Sequence, residues 1–182
     1  MRFIAKFILR LAGWKLYGKM PEGLKKSVIV MAPHTSNLDF ILGWLGLMGL
    51  KIKPSLFIKK EAFYFPAGPI LKAMGGIPLD RTKSRSDIKY ATSLFNKEDV
   101  FHLVITPEGT RKLSRNWKKG FYFIAQQAKV PIVLGYMDYG SKKGGVGPII
   151  YPSGNFEEDF KKIEDFYSDK RARYPENFNL SR

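Results

Sequence analysis

The apolar positions of this chain fall into short blocks whose period changes from one block to the next. Val28-Ile29-Val30-Met31 is an unbroken apolar run, the pattern of a strand buried on both faces, and residues 40–50 read as an apolar helix. Ser55-Leu56-Phe57-Ile58 predicts a further strand, and residues 70–74 a short helix that Gly75-Gly76 closes. Residues 77–81 predict a short strand, in which Pro78 points to a sheet edge. Ile88, Ala91, Leu94 and Phe95 recur at helical spacing, so a helix capped by Ser84 or Ser86 is expected to run to about Asn96. Strands are expected over 100–105, 130–136 and 146–151, with a helix over 121–128 and a Gly- and Lys-rich turn over 140–145. An acid-first, base-last helix, which suits the helix dipole at both ends, is expected over 155–173.

This alternation predicts the α/β class: a single domain with a mixed, mostly parallel central sheet flanked by helices. At the N-terminus, Ile4, Phe7, Ile8, Leu11 and Trp14 recur at helical spacing while Arg2, Lys6 and Arg10 lie four apart. A basic amphipathic helix carrying aromatic residues suits a membrane interface. Residues 1–18 are therefore expected to form a membrane-associating helix and residues 19–182 the main domain; a helix packed on the protein's own core is the alternative. Lys6 and Arg10 interrupt the apolar region and no small-residue cleavage site follows, which argues against a signal peptide. The longest uncharged apolar run, residues 40–50, is shorter than the ~20 residues of a bilayer-spanning helix, so a soluble or monotopic protein is expected.

Composition narrows the chemistry. The 182 residues contain no cysteine and only two histidines, His34 and His102, which excludes disulfides and cysteine catalysis and makes no metal site the expectation. The formal net charge is +15, and nearly all the excess lies before Asn155. Such a field attracts nucleic acid, anionic lipid headgroups, phosphorylated small molecules or an acidic carrier protein. The basic residues are spread through the α/β pattern without a nucleic-acid motif, so no specific nucleic-acid partner is expected, although a basic binding module is the alternative from a different class.

The candidate chemistry sits in Ala32-Pro33-His34-Thr35-Ser36-Asn37-Leu38-Asp39, between the first buried strand and the helix after it. Asp39 can orient the His34 ring and support the imidazolium once the other ring nitrogen has taken a proton. Ser36 and Asp39 also fit a helix capping box, which on this stretch alone explains the pattern better. Pro107-Glu108-Gly109-Thr110-Arg111 follows another buried strand and offers a close backbone approach at Gly109, a hydroxyl at Thr110 and a two-pronged phosphate donor at Arg111. A polar turn with a solvated arginine is the plainer reading of it. Asp80-Arg81 has the plain reading of a surface ion pair. No Gly-x-Ser-x-Gly elbow occurs, which argues against a serine hydrolase.

Four blocks in order resemble the glycerolipid acyltransferase family typified by 1-acyl-glycerol-3-phosphate (lysophosphatidate) acyltransferases. They are His34-Thr35-Ser36-Asn37-Leu38-Asp39, Gly75-Gly76-Ile77-Pro78-Leu79-Asp80-Arg81, Pro107-Glu108-Gly109-Thr110-Arg111 and Val130-Pro131-Ile132-Val133. Lys59-Lys60-Glu61 and the Pro66…Gly68 piece are also similar to it. The resemblance implies acyl transfer from acyl-CoA or acyl carrier protein to a lysophospholipid hydroxyl, most simply that of lysophosphatidate, without a cofactor. It makes His34 the general base and Asp39 its support. Arg81 and Arg111 would hold a phosphate, Glu108, Gly109 and Thr110 would shape the acceptor pocket, and Lys59 would contribute to binding. With the basic entry helix, it implies a peripheral or monotopic protein on the anionic cytoplasmic face of the cell membrane. Pro33, Thr106, Lys112 and Leu134-Gly135-Tyr136 depart from the family pattern and leave other acceptors open: a lyso-aminolipid, glycerol-3-phosphate or a lipid-linked sugar. His102 has no family role and is expected to be a structural strand residue.

Overall fold

The computed structural model describes residues 2–79 and 86–181. Its seven strands are β1 (Lys15–Tyr17), β2 (Lys26–Met31), β3 (Pro54–Lys59), β4 (Gly76–Leu79), β5 (Phe101–Ile105), β6 (Ile132–Asp138) and β7 (Lys143–Ile150). They form one sheet in the order β1-β7-β6-β2-β5-β3-β4, antiparallel only between β6 and β7. The helices are α1 (Arg2–Leu11), α2 (Asn37–Gly49), α3 (Ala67–Ala73), α4 (Ser86–Lys97), α5 (Gly120–Ala128) and α6 (Phe156–Tyr167).

The apolar run that predicts β2 is central because both faces of that strand are covered. Successive side chains alternate across a strand. Val28 and Val30 pack with Phe95 of α4, Tyr122 and Ala125 of α5, and Phe160, Ile163 and Tyr167 of α6. Ile29 and Met31 point to the opposite layer, where Leu47 of α2 and Val133 of β6 meet them. A strand buried twice over has no polar face to show, hence its continuous hydrophobicity. Pro78 lies on β4, the edge strand, where its missing N–H leaves no ladder bond unmade. His102 pairs with Ser27 across β5 and β2, and Ser27 Oγ lies 2.8 Å from its Nδ1, so this histidine is a cross-strand structural residue.

Two expectations about the chain ends need correction. The helix expected over 1–18 ends at Leu11; Gly13 turns the chain at φ +79°, and Lys15–Tyr17 then joins the sheet edge beside β7. That junction requires Gly145, whose φ is +147° and where a Cβ would lie 1.9 Å from the Tyr17 carbonyl oxygen. Trp14 thus leaves the apolar stripe and is buried with Leu9, Leu42 and Met137. Only Ala5 and Leu9 of α1 are buried, whereas Phe3 is 81% and Leu11 73% exposed, with Ile4, Phe7 and Ile8 exposed between them. At the other end, α6 stops at Tyr167 rather than near 173. Tertiary hydrogen bonds claim the backbone there: Arg171 N–H donates to Asp138 Oδ1 (2.9 Å), and Tyr139 N–H donates to the Arg171 carbonyl (2.9 Å).

Tyr167 ties the end of α6 to the centre of the sheet. Its fully buried hydroxyl donates to the Val30 carbonyl (2.7 Å) and, shared, to that of Gly135 (3.0 Å). Removing the hydroxyl leaves buried carbonyls short of a donor. Tyr167→Phe is expected to cost about 1–2 kcal/mol of folding stability, read from the urea midpoint at unchanged m-value.

Candidate active site

Strands β6, β2 and β5 are adjacent and mutually parallel, so their carboxyl ends open on the same side of the sheet. The residues that leave those three ends make the site. From β2 comes the histidine turn, from β5 the Pro107–Arg111 segment and from β6 Tyr139. Open carboxyl ends of parallel strands are where such sheets hold ligands.

Asp39 is the convergence point. Its Oδ2 accepts the backbone N–H groups of Thr35 (2.6 Å) and Ser36 (2.7 Å), and its Oδ1 accepts the hydroxyls of Ser36 (2.6 Å) and Tyr139 (2.6 Å). Ser36 is the N-cap of α2 and its Oγ accepts the Asp39 N–H, completing a capping box. The capping and catalytic readings of this stretch therefore coexist, because the cap fixes the same carboxylate that faces the ring. His34 Nδ1 lies 3.8 Å from Asp39 Oδ2, beyond hydrogen-bond length but close enough for strong Coulombic contact. The His34 side chain is 19% exposed, so one edge of the ring remains open to a ligand. Burial lowers its pKa below the ordinary 6.5; Asp39 opposes that shift and Arg111 adds to it. The ring is neutral at neutral pH, which is the state a base needs.

Glu108 departs from the role the resemblance implies. Its carboxyl is buried, 3% exposed and absent from the lining of the neighbouring cleft; Oε1 accepts the backbone N–H of His34 at 2.8 Å. It braces the histidine turn from the β5 side. Burial raises its pKa to about 8, against the pull of two backbone N–H groups and with a further push from the Asp39 charge. A proton on a carboxyl that still accepts one N–H satisfies a site without a cation beside it.

Gly109 has φ +65°, so the left-handed turn itself requires glycine. Its N–H donates to the Thr106 carbonyl, and Lys118 N–H donates to that of Pro107, so this segment is also the polar turn of the plainer reading. Thr110 and Arg111 are exposed on it. Arg111 reaches a cleft of about 470 Å³ lined by Thr35, Ser36, Asn37, Leu38, Arg111, Lys112, Arg173 and Tyr174. Lys59 ends β3, one strand beyond β5 on the same sheet edge, and is exposed there outside that cleft. Asp80, Arg81 and Ser84 lie outside the described residues.

A family model described as Acyltransferase matches residues 15–136, two thirds of the chain and the whole His34-to-Arg111 arrangement. The chain belongs to the acyltransferase family. It is 36% identical over 118 residues to a 1-acyl-sn-glycerol-3-phosphate acyltransferase of Saccharomyces cerevisiae, covering 60% of this chain and 38% of that protein. It is 32% identical over 144 residues to a probable 1-acyl-sn-glycerol-3-phosphate acyltransferase of Mycoplasma pneumoniae, covering 71% and 52%. The chain thus spans 38% to 52% of the length of these curated relatives. Its fold is similar to the crystal structure of the Thermotoga maritima LPA acyltransferase PlsC, with a TM-score of 0.62 at 19% identity over 91% of this chain and 74% of that one.

Three residues at this candidate site carry no signal in the sequence. Tyr139, Arg173 and Tyr174 lie beyond the family-matched segment, and only the fold brings them to the histidine turn. The buried proton on Glu108 has a measurable consequence. A group whose pKa rises on folding contributes stability that is complete below its unfolded value, near 4.5, and is lost as pH rises through about 8. Relative to Glu108→Gln, which keeps the acceptor for His34 N–H, the wild type is expected to lose stability from about pH 5 to 8, at up to about 1.4 kcal/mol per pH unit in the middle of that range. Denaturant titrations of both proteins across that range measure the difference.

Proposed function

We propose that this chain transfers a fatty acyl group from acyl-CoA or acyl carrier protein to the hydroxyl of a lysophospholipid, most simply lysophosphatidate. The observation that carries the reading is a neutral, part-exposed His34 that faces a buried carboxylate, in a turn whose next four residues line a cleft together with Arg111, Lys112 and Arg173. His34 Nδ1 faces Asp39, which leaves Nε2 for the acceptor. Nε2 takes the hydroxyl proton as the oxygen attacks the thioester carbonyl. The C–O bond forms, the C–S bond breaks, and the imidazolium returns its proton to the departing thiolate. Asp39 stabilises the imidazolium by charge, and Arg111 offers a guanidinium to the acceptor's phosphate.

Two measurements test the chemistry. Thiol release from acyl-CoA or acyl carrier protein, followed with a panel of acceptors in the presence of lipid or detergent, is expected to require the lysophospholipid. His34→Ala is expected to lower kcat/KM about a thousandfold. Because the base must be neutral and its pKa is lowered, wild-type kcat/KM should fall on the acid side with a limb below pH 6.5. Full activity of His34→Ala, or a limb well above pH 6.5, counts against this assignment.

The same reading puts the protein on an anionic membrane surface, as a peripheral or monotopic enzyme of the cytoplasmic face, where acidic lipids attract basic segments. The exposed apolar side of α1, together with exposed Lys6 and Arg10, supports it. No helix among the described residues is long and apolar enough to cross a membrane. Phe3→Asp/Phe7→Asp is expected to reduce cosedimentation with vesicles containing phosphatidylserine by tenfold or more while leaving the thermal midpoint unchanged. Equal sedimentation of variant and wild type would remove α1 as the anchor.

A further inference from the structure

The segment after α6 is a strap that crosses the site. Arg171 is tied on both its N–H and its carbonyl to the end of β6, through Asp138 and Tyr139. Ala172 is buried. Tyr174 N–H donates to Thr35 Oγ1 (3.2 Å), inside the histidine turn. Further on, the Trp117 indole N–H donates to the Asn179 carbonyl, and Trp117 N–H donates to Ser181 Oγ, so the strap also holds the loop that follows Arg111.

Arg173 is the residue between those anchors. With Ala172 turned into the core, Arg173 is exposed and lines the same cleft as Arg111 and Lys112. Its charge reaches Tyr139, where it opposes the upward pKa shift that burial and Asp39 impose on that phenol. Among the described residues, the cleft wall holds three cations, the Ser36 hydroxyl and the Asn37 amide, and no carboxylate. Three like charges beside one cleft repel each other when it is empty, and a doubly charged anion relieves that repulsion.

We infer that Arg173 joins Arg111 in gripping a phosphate monoester in this cleft, and so sets specificity from the C-terminal strap. The inference rests on the acyltransferase reading only for what the phosphate is attached to. A monoester occurs on the acceptor, lysophosphatidate, and on the donor, as the 3′-phosphate of coenzyme A.

Equilibrium binding to the full chain tests it, with four ligands: short-chain lysophosphatidate below its micellar concentration, the matching monoacylglycerol, coenzyme A and dephospho-coenzyme A. Loss of one charge-assisted, two-pronged contact is expected to weaken a phosphate ligand about 10- to 50-fold in Arg173→Gln. Arg173→Lys should recover part of it, because the charge returns without the fork. An exposed side chain predicts unchanged thermal midpoints for both variants. Selective weakening of lysophosphatidate over monoacylglycerol assigns the acceptor's phosphate; selective weakening of coenzyme A over dephospho-coenzyme A assigns the donor's. Equal affinities of wild type and Arg173→Gln for all four ligands, or no binding of either phosphate ligand by the wild type, would overturn the inference. Wild-type binding that depends on Arg173, without thiol release from any acyl donor, would instead sink the acyl-transfer reading and leave this one standing.

Discussion

The buried Asp39 carboxylate is the constraint on which the site depends. A buried charge is tolerated only when its lone pairs are met, and here four donors from three residues, Thr35, Ser36 and Tyr139, meet them. Two are backbone N–H groups of the turn, one is the N-cap hydroxyl of α2, and one is a phenol 100 residues away at the end of β6. The donors fix the carboxylate, and its position 3.8 Å from His34 follows. Helix initiation and the placing of the carboxylate beside His34 thus use the same atoms, which is why a strong capping signal here is no argument against chemistry.

The bracing extends outward in each direction. Glu108 holds the backbone of His34 from β5, and Tyr174 holds Thr35 from the strap. Tyr139 itself packs edge-on against Trp14, with ring centroids 5.0 Å apart. Trp14 shares a cluster with Leu9 of α1, so packed side chains run without a break from the exposed amphipathic helix to the Asp39 carboxylate. The helix that offers an apolar surface outward is therefore one packed layer from the Asp39 carboxylate; on the proposed function, that would be a short path for a lipid held in an interface.

Most of the fold is legible in the sequence because double burial leaves a plain mark. The β2 run, the β5 and β6 runs and the edge proline at Pro78 all follow from which faces are covered. The strand β1 is not legible, since three residues are too few for alternation to register and its partner, β7, is far along the chain. The end of α6 is misread for a different reason. Its charge pattern suits a helix to residue 173, but tertiary hydrogen bonds from Asp138 and Tyr139 outbid the helical ones at Arg171. His34, Asp39 and Arg111 are legible as local motifs; Tyr139 and Arg173 are not, because their proximity to the site comes only from strand order and a tertiary tether.

The electrostatics of the site have two opposing sides, and their balance depends on what the cleft holds. Asp39 raises the basicity of His34, while Arg111 lowers it. An anion seated on Arg111 offsets the cation's field at the ring and leaves that of Asp39 in place. The imidazole then becomes a stronger base when the cleft is filled than when it is empty. On the proposed acyl transfer, a neutral hydroxyl ligand without an anionic group would meet the weaker base, and the site would discriminate by proton affinity as well as by contact. Burial of the ring strengthens that effect, because solvent screens the Asp39 and Arg111 fields less at a part-buried imidazole than at an exposed one.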